Sequence, residues 1–95
     1  MSKGSGKVKS QTPKQTMNAI QREYLRNARK AVRIASDVKF NAVAYNAQAN
    51  WAEAYWYNYL KSVGTKQFMA QMNRLKEFLA RKDTHGALRF LEGVA

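Results

Sequence analysis

Between Pro13 and Gly64 the chain contains neither glycine nor proline, and its apolar residues recur at steps of three and four. The series runs Met17, Ile20, Tyr24, Ala28, Ala31, Ala35, Val38, Ala42, Tyr45, Ala49, Ala52, Trp56, Leu60, Val63. An unbroken run with this period folds as amphipathic α-helix and leaves no room for a strand of alternating pattern. Two forms satisfy it. One is a single helix over residues 17–63, roughly 70 Å long at about 1.5 Å per residue, which would need partners along its length. The other, which the sequence favours, is two helices separated near Ser36–Asn41, where Ser36, Asp37 and Asn41 are all able to cap. Thr16 is the expected N-cap of the first helix.

Gly64 followed by Thr65 reads as a helix-ending glycine and a new N-cap. Phe68, Met72, Leu75 and Leu79 then mark a further helix. Lys82–Gly86 reads as a turn, with Asp83 or Thr84 capping a short last helix, Ala87–Glu92, that Gly93 ends. The expected fold is therefore all-α: a small bundle of three to four helices, or one very long helix plus an αα-hairpin. Residues 16–95 form the single helical domain. Residues 1–15 (MSKGSGKVKSQTPKQ) have four Lys, no acid and no apolar period, the composition of a disordered cationic arm.

Charge is the chain's outlying property. Seventeen basic against six acidic residues give +11, and residues 1–39 alone hold ten of the basic and two of the acidic ones. Such a front half points to a polyanion, with nucleic acid ahead of an anionic membrane or an acidic protein. Cysteine is absent, which removes disulfides and thiolate metal sites. No secretory signal and no bilayer-spanning window is expected, so the location read from the sequence is intracellular or inside a particle.

The sharpest local signal is the line Arg22, Arg26, Arg29, Arg33, with Lys30 beside it. At about 100° per residue it is turned some 200° from Ile20, nearly opposite the apolar series. Four like charges at this spacing repel, so a balancing partner is expected. The planar guanidinium fork suits phosphate. Lys3, Lys7, Lys9 and Lys14 of the arm complete the expected nucleic-acid-binding set. The bland alternative is a solvated basic face, with the arm as a solubilising tail.

The second signal is Trp51, Tyr55 and Tyr59, which are spaced i, i+4, i+8 and read as a protein-interface or self-association stripe, or as packing for the C-terminal hairpin, or as a platform for bases. Trp56 belongs to the core series. Nothing assembles a catalytic or metal site: His85 is the single histidine and the six acids are dispersed. No cofactor is implied, and the protein is expected not to be an enzyme. The leading expectation is a small basic helical protein that binds DNA or RNA through phosphates, largely without sequence preference. The alternative is a protein-interaction module, either an oligomeric structural subunit or a small inhibitor docking on a larger protein. An amphipathic membrane-surface helix is a weaker third reading, since its apolar face would be mostly alanine.

Overall fold

The computed structural model describes residues 18–94, and among them the order is α1 (Ala19–Asp37), α2 (Ala42–Val63), α3 (Phe68–Ala80) and α4 (Thr84–Glu92). No strand occurs among the described residues. The arm of residues 1–15 and the expected cap Thr16 lie outside the described residues. The N-cap of α1 is Asn18, which builds a reciprocal box: its Oδ1 accepts from the Gln21 amide at 2.8 Å, and Gln21 Oε1 accepts from the Asn18 amide at 3.2 Å.

The long rod does not form. α1 stops at Asp37, and the Val38 amide reaches back to the carbonyls of Ile34 and Ala35. Asn41 is extended (φ −106°, ψ 103°), and its side chain accepts from the Ala44 amide at 3.1 Å, starting α2. A short polar side chain that bonds its own backbone competes with helix continuation, so Asn41 ends the run where no glycine does. The two helices fold back on one another as a hairpin. Their facing surfaces bury Ala28, Ala31 and Ala35 on α1 and Ala49 and Ala52 on α2, so only methyl groups separate much of the two backbones.

Gly64 ends α2 with φ 70°, ψ 36°, a left-handed conformation that costs glycine little. Thr65 does not cap α3. Its hydroxyl accepts from the Gln67 amide, and α3 begins at Phe68 without a side-chain cap. α3 ends in a Schellman arrangement: the Lys82 amide bonds the Leu79 carbonyl at 3.0 Å, and the Asp83 amide bonds the Phe78 carbonyl at 2.8 Å. The left-handed position there is held by Lys82, φ 58°, rather than by glycine. Asp83 caps α4 by accepting from the Gly86 amide at 2.9 Å, so the last helix begins at Thr84, three residues earlier than the sequence suggested.

α3 packs on α2, and α4 packs on both α1 and α3. Trp56, Leu25, Leu75, Leu91 and Val32 are the largest fully buried side chains at the centre. Three side chains of the first hairpin also bond backbone carbonyls of the second. The Tyr45 hydroxyl donates to Leu79 at 2.6 Å, the Trp56 indole to Gln71 at 2.9 Å, and the Arg29 guanidinium to Leu91 and Val94.

Candidate nucleic-acid interface

The buried arc of α1 comprises Leu25, Ala28, Ala31, Val32 and Ala35, while Ile20 is 63% exposed. At about 100° per residue the centre of that arc lies some 80° from Ile20, because α1 serves two neighbours rather than one. The arginine line is therefore not opposite the core. Its Arg29 edge lies against α4.

The four arginines consequently have different surroundings. Arg29 is half-buried; its Nη2 donates to the carbonyls of Leu91 at 2.9 Å and Val94 at 3.2 Å, and its Nε to Leu91 at 3.3 Å. Arg33 lies 3.5 Å from Glu92, also near the end of α4. These two cations sit at the negative end of the α4 dipole, a favourable place for positive charge. Arg26 pairs with Glu23 one turn earlier, and both are exposed. Arg22 is exposed. The partner that offsets repulsion along the line is thus in large part the protein itself, and Arg29 is engaged by the fold rather than held out to a ligand. Lys3, Lys7, Lys9 and Lys14 lie outside the described residues.

Lys30 projects from the other flank of α1. With Asn27, Ala31 and Ile34 it forms one wall of a shallow groove of about 240 Å³, faced by Gln48, Trp51 and Tyr55 of α2. Trp51 is 55% exposed and stacks on Tyr55, with ring centres 5.7 Å apart and planes 25° apart. Tyr59 leaves this group. It is buried and stacks on Trp56 at 5.5 Å with an 11° angle. The reason is geometric: a step of four residues overshoots a helical turn by about 40°, so eight residues carry the series from the outer flank onto the core. Burial pushes the Tyr59 hydroxyl pKa up, against the opposing charge of Arg29. The expected stripe of three aromatics is thereby resolved into an exposed Trp51, a partly buried Tyr55 and a buried Tyr59.

A second cationic surface, absent from the sequence expectations, lies on the α3–α4 hairpin. Arg74 stands 5.9 Å from the Phe78 ring and 5.7 Å from the Phe90 ring, and Arg81 stands 5.7 Å from Phe78. Arg74, Phe78 and Phe90 border, with His85, Arg89 and the capping Asp83, an open depression of about 500 Å³. Arginines resting on aromatic rings keep their in-plane donors directed outward. The signal in the sequence was a set of arginines flanking Phe78 and Phe90 across a turn, recognisable only once the turn was placed.

Three of the six acids are held in a pair or a cap, and a fourth is half-buried. Glu23 and Glu92 pair with Arg26 and Arg33, Asp83 caps α4, and Glu53 is half-buried, its pKa raised by burial and partly offset by Lys76. No helix among the described residues is long and apolar enough to cross a membrane. No family model, curated protein or solved structure matches the chain.

Proposed function

We propose that the protein binds nucleic acid through its phosphates, largely without sequence preference, and that it acts without catalysis. One observation carries this reading: the basic residues outnumber the acids 17 to six, three of the acids are already held in a cap or a pair, and Lys30, Arg74, Arg81, Lys82 and Arg89 stay exposed. The excess of positive charge therefore has no internal outlet, and a phosphate backbone supplies one by releasing its counterions. The arm lysines Lys3, Lys7, Lys9 and Lys14 add tethering charge, and α1 offers Arg22, Arg26 and Arg33 on one flank and Lys30 on the other. An intracellular or particle-enclosed setting suits this activity.

The test is the salt dependence of association. Binding to a mixed-sequence duplex should weaken about a thousandfold or more between about 50 and 200 mM salt, as for six or more phosphate contacts. Replacing Arg26 and Lys30 by Gln should lower the slope by about two. Failure to bind at low salt, or a flat salt response, would overturn the proposal.

A second reading has an observation of its own. Phe40 is fully exposed in the α1–α2 turn and Val43 is 81% exposed one turn away, an apolar tip suited to a protein partner or to self-association. Light scattering decides between them: an oligomer that ignores salt and nucleic acid, and dissociates on Phe40→Ser with Val43→Ser, favours the interaction module.

A further inference from the structure

The two tryptophans are used in opposite ways. Trp56 is 1% exposed and donates its indole N–H to Gln71. Trp51 leaves more than half its surface in water and stacks on Tyr55, which forms an ordered aromatic ledge at the rim of the α1–α2 groove. The rest of that groove is chemically mixed. Ala31 and Ile34 are apolar, Asn27 and Gln48 carry amides, Lys30 carries the charge, and no carboxylate lines it.

Each component matches a part of one nucleotide. An aromatic face takes the face of a base, a side-chain amide takes the donors and acceptors on a base edge, and an ammonium takes the phosphate. In a duplex the base faces are covered by their neighbours and the edges are paired, so only a single strand presents all three at once. A purely apolar partner segment would leave Lys30 and both amides without a use. We infer that the α1–α2 groove is a base-stacking site that gives the protein a preference for single-stranded over double-stranded nucleic acid, with Trp51 as the stacking face and Lys30 as the phosphate contact. This rests on the phosphate-binding reading above and assigns one site within it.

The experiment uses the full 95-residue chain with three probes: a mixed-sequence single strand, the duplex of the same sequence, and an abasic strand of equal length. The single strand should bind more tightly than the other two and should quench tryptophan emission. Trp51→Ala should weaken single-strand binding about five- to a hundredfold, as loss of one stacked base predicts, and leave duplex and abasic binding unchanged. Trp51→Phe should restore most of the loss. An unchanged melting temperature for both variants, expected from the exposure of Trp51, assigns the effect to the site. If Trp51→Ala binds the single strand as the parent does, or if abasic and normal strands bind alike, the groove is not a stacking site and the phosphate-binding reading stands. If no probe binds at low salt, that reading falls, and this site with it.

Discussion

Arg29 grips the carbonyl oxygen of Leu91 with two of its nitrogens, joining α1 to a backbone atom 62 residues further along the chain. A side chain that looks on a helical wheel like one of four equivalent surface cations is a strut between the first helix and the last. α4 has only nine residues, fewer than an isolated helix needs to persist, so its place depends on such contacts.

Removing the strut should therefore unfold rather than unbind. Arg29→Ala is expected to lower stability by about 2 kcal/mol, near 10 °C in melting temperature for a domain of this size. Arg29→Lys should recover little, because an ammonium cannot reproduce the fork. Thermal unfolding followed by circular dichroism checks both. At temperatures where the variant is folded, its nucleic-acid affinity should fall no further than the loss of one charge implies.

Lys82 offers a change in the other direction. A lysine at φ 58° closes the α3–α4 turn, where a left-handed conformation costs an L-residue about 1–2 kcal/mol and glycine far less. Lys82→Gly gives up a cation placed 5.3 Å from the Tyr45 ring and adds chain entropy to the unfolded state. The balance should be a gain of about 0.5 kcal/mol, seen as a higher urea midpoint with unchanged slope. Lys82→Ala should give none.

Tyr45 predicts a pH dependence. Burial, and then the charge of Glu53, raise its hydroxyl pKa above the ordinary value, and the neutral hydroxyl donates to Leu79. A group whose folded pKa is raised contributes stability that is complete below its unfolded value, about pH 10, and is lost as pH climbs through the folded value. Tyr45→Phe should cost about 1 kcal/mol at pH 7. The parent should then lose stability faster than the variant above about pH 10, so that the gap closes. Denaturant titrations from pH 8 to about 11 measure it, and a constant gap would refute the assignment.

The sequence was most informative where a local signal coincided with a global need. Gly64 marks a helix end that any packing would respect, and the series through Tyr45, Ala49, Ala52, Trp56 and Leu60 predicts the inward face of α2 correctly because each of these five is buried. α1 was less legible. The period alone gives a single stripe through Ile20 and Ala31, whereas Leu25 and Val32 are buried because α4 returns to cover that side. Periodicity reports that a face exists and not how many neighbours share it. The same omission made the arginine line look uniform: Glu92 and the carbonyl of Leu91 belong to the far end of the chain, and only the folded path brings them to Arg33 and Arg29. Thr16 and Asn18 are both able to cap, and the reciprocal bond from Gln21 makes Asn18 the cap, two residues beyond the expected one. The i, i+4, i+8 spacing groups Tyr59 with Trp51 and Tyr55 and leaves interface and packing both open; because that spacing drifts around the helix, Tyr59 reaches the core.

The bonds from Tyr45, Trp56 and Arg29 to Leu79, Gln71 and Leu91 share one property: each acceptor is main chain. Every residue offers the same carbonyl, whatever side chain it carries. The C-terminal hairpin can thus diverge at these three acceptor positions, within the limits of packing, without losing a polar tie to the rest of the protein, while the donors Tyr45, Trp56 and Arg29 have no such latitude. Among distant homologues, constancy should therefore gather on the first hairpin's donors and drift on the second hairpin's acceptors, an asymmetry by which descent could be traced after overall resemblance has faded.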